Sequence, residues 1–342
     1  MTDAGSALSL AATLAVGGLS ALAAAALGAP APFLTGPALG VAVASLLGLR
    51  TALPRGLRDA CILVIGVGMG AGVTPEALAT AAAWPGSLLA LGASLVAITL
   101  GGAALLTRGF GYRRDAALLA SLPGHLSYVL AMAERLRGPD LAVMAVIQSL
   151  RVLALTLLVP PVIAATTGAA LSGVPDLSPD MAPLTLAGLL LACGAAGWLA
   201  ARRQVPAGYL LAAMALSGGL HAGGWVEGDV PPWLAVPAFV VMGTMIGSRF
   251  SGVTPALLAR ATGAGTALIA VSGALAVAPA LAVSAAFGLP PAQTLIAFAP
   301  GGLETMAALA VLMDVDAAYV AVHHAGRMVL LTVLLPLALR RA

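Results

Sequence analysis

Lysine is absent from these 342 residues, which hold only two cysteines, four histidines, 8% charged side chains and 4% aromatics. Without lysine there is no Gly-x-x-x-x-Gly-Lys-Ser/Thr phosphate loop, which argues against a nucleotide-driven pump. The four scattered histidines lack the spacing of a metal-ligand cluster, so neither a metal centre nor any other cofactor is expected. Cys61 and Cys193 lie inside apolar segments, which points away from a disulfide framework. So few charges leave too little polar surface to cover a soluble globule of this length. No long polar basic stretch exists to form a nucleic-acid-binding module, despite a net charge of +3.

What fills the chain instead is apolar: 61% hydrophobic residues and a mean hydropathy of +1.05, a composition suited to a bilayer. Met1-Thr2-Asp3-Ala4 carries no basic region before the first apolar run, so the start reads as a first transmembrane helix and not as a cleaved signal. Twelve apolar segments follow. Six lie at about 6–27, 31–49, 59–74, 86–107, 115–133 and 141–167, and six more at about 182–201, 207–224, 233–248, 263–288, 292–312 and 317–339. Most approach the roughly 20 residues a helix needs to cross a bilayer.

The two sets of six are copies. From Arg151 to Pro160 and from Arg327 to Pro336, five of ten positions match at a constant offset of 176. Pro30-Ala31-Pro32 answers to Pro206-Ala207-Gly208, and Gly72-Val73-Thr74-Pro75 to Gly252-Val253-Thr254-Pro255. The expected organisation is a first repeat over 1–167, an extracytoplasmic linker over 168–180, and a second repeat over 181–342.

Charge placement suggests how the copies sit. If all twelve segments crossed, six of the fourteen loop arginines would lie outside, against the tendency of basic loops to remain in the cytoplasm. If the Pro-Gly segments 115–133 and 292–312 enter and return on one side, all fourteen fall inside. The outer loops then hold only acids: Glu76, Asp176, Asp180, Glu227, Asp229, Asp314 and Asp316. Each copy then has five crossings and one re-entrant hairpin, and an odd number of crossings turns the second copy upside down. The expected fold is an all-α integral membrane protein of two inverted repeats, each of about five transmembrane helices plus a re-entrant Pro-Gly hairpin. Both termini would be cytoplasmic, in a bacterial inner membrane. Kinked spanning helices are the alternative to hairpins.

A Pro-Gly tip frees backbone groups that lipid cannot satisfy, so it must be buried in protein or line a wet cavity. The limb after it starts at a helix N-terminus, which favours an anion. Arg151 and Arg327 lie some ten residues inside their spans, too deep to reach water easily, and each needs a partner or a function. Gln148 and His324 share a helix face with them at a spacing of three, and His323 joins Arg327 at four. The candidate substrate-binding residues are Pro123, Gly124, His125, Ser127, Gln148 and Arg151 in the first copy. In the second they are Pro300, Gly301, Gly302, Thr305, His324 and Arg327. Glu304 and His323 are the candidates for proton or ion coupling. A purely structural role for the arginines, paired with Glu304 or with helix-end carbonyls, remains open.

At Pro-Gly-Gly-Leu (300–303), His-His-x-x-Arg (323–327) and Gln-Ser-Leu-Arg-Val (148–152) the chain resembles the AbrB-type duplicated membrane proteins of bacteria, over about residues 9–341. Names used in that family refer to an ammonia monooxygenase and to regulation of gene expression. The residues here supply neither a metal cluster nor a soluble DNA-binding module. The first tip, Pro-Gly-His-Leu, departs from the Pro-Gly-Gly of the second, so the half-sites are not expected to be equivalent. The function expected is ion- or proton-coupled secondary transport of a small anionic solute by alternating access. A membrane-embedded sensor or regulator acting through a partner is the alternative, and a membrane enzyme a disfavoured third. The expected partners are the bilayer and a small-molecule or ion substrate, not nucleic acid, and a homodimer is compatible with this reading.

Overall fold

A computed structural model describes residues 3–73, 84–123, 141–167 and 180–339. Among these the chain forms thirteen helices. They are α1 Asp3–Ala26, α2 Pro32–Leu46, α3 Arg55–Ala71, α4 Trp84–Phe110, α5 Arg114–Ser121 and α6 Leu141–Thr167. The second half has α7 Pro183–Arg202, α8 Gly208–Ala222, α9 Pro232–Ser248, α10 Pro255–Phe287, α11 Pro291–Phe298, α12 Leu303–Leu312 and α13 Ala317–Leu339. Several begin with proline, whose missing N–H costs nothing in a first turn: Pro32, Pro183, Pro232, Pro255 and Pro291.

Five helices among the described residues are long and apolar enough to cross a membrane, within α1, α4, α6, α7 and α10. The partners α2, α3, α8 and α9 are shorter, at 15 to 17 residues, or about 22–26 Å of helix. The masses of the two halves are brought together by these shorter helices. Helix α2 packs along α9, and α8 along α3. Small residues allow the approach: a Cβ added at Gly243 of α9 would lie 2.3 Å from the Leu34 carbonyl oxygen, and one at Gly66 of α3 2.7 Å from that of Leu210. Leu34 and Leu210 are separated by the same 176 residues as the matching sequence blocks. Ala31 and Ala207, also 176 apart, both precede their helices in the left-handed conformation, with φ of 49° and 51°.

The expected segment 292–312 is interrupted. It forms α11 and α12, separated by Ala299–Gly302. These two short helices, with the first turn of α13, are deeply enclosed; Ile296, Met306–Ala310 and Val320 are all fully buried. Of the expected segment 115–133, only positions 115–123, with most of α5, lie within the described residues. The linker positions 168–179 lie outside them.

Two groups of loop contacts tie the helices together. The Met181 N–H donates to the Asp229 carbonyl at 2.9 Å, and Asp180 and Asp229 form an isolated parallel bridge. Asp314 also acts electrostatically on Asp229. In the other group the Thr51 N–H donates to Ser251 Oγ at 3.3 Å and the Ser9 hydroxyl to the Arg50 carbonyl, while Arg58 and Arg249 act on each other.

Candidate functional site

Interruption of a helix leaves carbonyls unpaired at one new end and N–H groups at the other. At the C-terminal end of α11 those carbonyls are met by Arg327, which enters from α13. Its Nη1 donates to the Ala299 oxygen at 2.7 Å and its Nη2 to that of Gly301. Nη2 also donates to Nδ1 of His324, whose opposite nitrogen, Nε2, donates to the Ile296 oxygen at 3.0 Å. This fixes His324 as a neutral ring with its proton on Nε2. Arg327 is 2% exposed, and its Nε has no partner.

The first copy repeats this arrangement with different chemistry. Nη2 of Arg151, from α6, donates to the Leu122 oxygen at 2.7 Å, just past the end of α5, and to the side-chain oxygen of Gln148. The Gln148 amide nitrogen in turn donates to Leu122 at 3.2 Å. Gln148 and His324 thus do the same work: each offers an acceptor to its arginine and a donor to a helix-end carbonyl. Pro123 is buried beside Leu122. Gly124, His125 and Ser127 lie outside the described residues.

His323 faces elsewhere. Its Nδ1 donates to the Tyr319 carbonyl at 2.8 Å, so Nε2 accepts from the Ser87 hydroxyl, also at 2.8 Å, and Ser87 in turn accepts from the Tyr319 hydroxyl. The Tyr319 and His323 rings lie 3.9 Å apart, and Trp84 meets Tyr319 edge-on at 6.1 Å.

At the N-terminal end of α12 a cavity of about 470 Å³ opens, within the range of about 300–1,000 Å³ usual for small-molecule sites. Gly302, Leu303, Glu304 and Thr305 form its floor, with Arg327 beside them. Arg58 and Asp59 of α3, Tyr209 of α8 and Arg249 after α9 supply the polar wall, and Ile62, Val152, Val205 and Met328 the apolar one. Gly302, the N-cap of α12, has no side chain to cap the helix, and the Glu304 carboxylate stands in its first turn, so the positive end of the helix dipole is directed at the cavity. Arg58 pairs with Asp59 at 3.1 Å. Burial lowers the pKa of the Arg249 guanidinium from its ordinary value, and the negative charge of Glu304 opposes that shift.

Of the residues singled out from sequence, Gly302, Glu304, Thr305 and Arg327 share this cavity. Pro300 and Gly301 form the turn behind it, and His324 orients Arg327. Gln148 and Arg151 sit at the other helix end, while His323 belongs to the Tyr319–Ser87 group. Arg58, Asp59, Tyr209 and Arg249 were missed. The charges of Arg58, Asp59 and Arg249 near helix ends look in the sequence like ordinary loop charges, and Tyr209 carries no signal of its own. Among the described residues no three His, Cys, Asp or Glu side chains are grouped to hold a metal, and Cys61 and Cys193 are buried free thiols.

Comparison with known proteins places these features in a family. The model described as "Transition state regulatory protein AbrB" matches residues 33–342. The chain is 27% identical over 297 residues to "Putative regulator AbrB" of Escherichia coli (strain K12), covering 85% of this chain and 84% of that protein. It is also 29% identical over 245 residues to "Uncharacterized protein YhjN" of Bacillus subtilis (strain 168), covering 64% and 61% respectively.

Proposed function

This chain belongs to the AbrB family, and we propose that it acts there as a secondary transporter of a small anionic solute. The observation that carries the proposal is the cavity at the interrupted helix, where the uncapped first turn of α12 and Arg327 meet among apolar helices. In this reading the protein lies in the bacterial inner membrane as two inverted repeats of about five crossings, with re-entrant hairpins at 115–133 and 292–312. Interrupted helices at the interface of opposed repeats are a recurring plan for transporter sites. The cavity wall includes Arg58 and Arg249, residues of the arginine-bearing face, so solute would reach α12 from the cytoplasmic side in this conformation. Alternating access would then close that face and open the acidic one.

Glu304 is the carboxylate best placed to couple transport to a proton, since it stands on the cavity floor under the influence of Arg249. The test is uptake into proteoliposomes driven by a pH gradient. Glu304→Gln is expected to lose pH-driven uptake while retaining solute exchange, and unchanged pH dependence in that variant would exclude Glu304 as the carrier.

The name of the Escherichia coli relative favours a second reading, a membrane sensor that binds its ligand and signals through a partner. Flux separates the two: a sensor binds the solute in detergent and moves none across a vesicle wall.

A further inference from the structure

We propose that the cavity at α12 takes a monocarboxylate with an apolar body, in preference to a dicarboxylate or an inorganic oxyanion. This rests on the reading of the cavity as an anion site and adds the class of anion.

Charge supplies the first argument. The walls hold three guanidinium groups, of Arg58, Arg249 and Arg327, and two carboxylates, of Asp59 and Glu304. Asp59 is paired with Arg58, and Glu304 acts on Arg249. Arg327 instead spends both terminal nitrogens on carbonyls and His324, none of which cancels its charge. With Glu304 ionised, one negative charge therefore balances the site. A dianion would leave an excess negative charge among apolar helices, where burying unpaired charge is costly.

Donor geometry supplies the second. Arg327 is 2% exposed and lines the cavity; its Nε, like that of Arg151 away from the cavity, is buried without a hydrogen-bond partner. The first-turn N–H groups of α12 form one compact donor set, suited to a single carboxylate, and Arg327 sets an uncancelled positive charge beside it. The further oxygens of a tetrahedral oxyanion would have to be met from the polar wall, where Arg58 is paired with Asp59 and Arg249 is under the influence of Glu304, because Ile62, Val152, Val205, Leu303 and Met328 offer no donor. Those side chains suit a short hydrocarbon tail.

The test uses the intact purified protein. Its thermal midpoint is measured against propionate, butyrate, valerate and hexanoate, against succinate, phosphate and sulfate, and against butyramide as the uncharged match. The same compounds are then tried as counter-solutes for exchange in proteoliposomes. Affinity is expected to rise about fourfold for each added methylene until the cavity is full, with butyramide inactive. Met328→Ser should reduce that increment while retaining the need for a charge, and Arg327→Gln should abolish the shift. Preference for succinate, phosphate or sulfate, a flat response to chain length, or equal binding of butyramide overturns the monocarboxylate assignment. Binding by the other anions would leave the anion site itself standing. If no anion shifts the midpoint or exchanges, the assignment falls together with the transport reading.

Discussion

Arg151 and Arg327 hold equivalent ends of two short helices: Nη2 of the first donates to the Leu122 oxygen and Nη1 of the second to that of Ala299, both at 2.7 Å. Each places a fixed positive charge against the negative end of a helix dipole and satisfies carbonyls that no water or lipid would reach.

The two are not expected to behave alike on mutation. Arg151 does not line the cavity, whereas Arg327 does. Arg151→Gln should lower the melting midpoint by several degrees, since a buried hydrogen bond to a charged group contributes about 1.5–3 kcal/mol. Once folded, that variant should keep its ligand-induced shift. Arg327→Gln should show both losses. Thermal unfolding with and without saturating ligand distinguishes the cases, and equal loss of folded protein with unaltered binding in both would make the pair purely structural.

His324 and Gln148 stand 176 residues apart and supply the same acceptor and donor. His324→Gln is therefore expected to retain fold and activity, with a midpoint close to that of the parent. His324→Leu keeps the bulk but leaves Nη2 of Arg327 and the Ile296 carbonyl short of a partner, and should cost roughly 1–3 kcal/mol for each group stranded. Comparing the two midpoints isolates the hydrogen bonds from the packing.

Close helix pairing through glycine gives a third expectation. Gly66→Ala and Gly243→Ala push a methyl group onto the backbone of α8 and α2, and each should destabilise by about 1–3 kcal/mol. Gly219→Ala in α8 meets nothing within 4 Å, and should instead stabilise by up to about 1 kcal/mol through helix propensity. Size-exclusion profiles and melting curves of the three variants check the contrast.

On the acidic face, burial raises the pKa of the Asp229 carboxyl, with Asp314 and Asp180 pushing the same way and His221 opposing. A raised pKa in the folded state means the folded protein holds its proton more tightly than the unfolded chain does. Stability from this group is complete below the ordinary carboxylate range and is lost as pH rises through the raised value. Asp229→Asn should therefore melt about 1–3 °C higher than the parent near pH 7, and the difference should shrink on acidification. A gap that widens at low pH would contradict the assignment.

Much of this was visible in the sequence because apolar chains expose their exceptions. The break at Ala299–Gly302 followed from Pro-Gly in a span, and Gln148 and His324 were tied to their arginines by a spacing of three. What occupies the guanidinium groups was not visible, since a carboxylate and a helix-end carbonyl offer the same acceptor. Nor could a linear reading bring Arg58 beside Arg249, 191 positions later; that juxtaposition depends on α3 packing against α9. The shorter helices α2, α3, α8 and α9 also read only as apolar runs, while their pairing depends on which glycines face which backbone.

The contact between Trp84 and Tyr319 gives this protein a built-in optical reporter. Trp198, Trp225 and Trp233 are 49%, 81% and 70% exposed, and replacing those three with phenylalanine would leave Trp84 as the sole indole. Its ring rests edge-on against a tyrosine whose hydroxyl is linked through Ser87 to His323. Any rearrangement of α4 against α13 must change the surroundings of that indole. Its emission colour and quenching would then follow the motion between these helices in unlabelled protein, in detergent or in a vesicle.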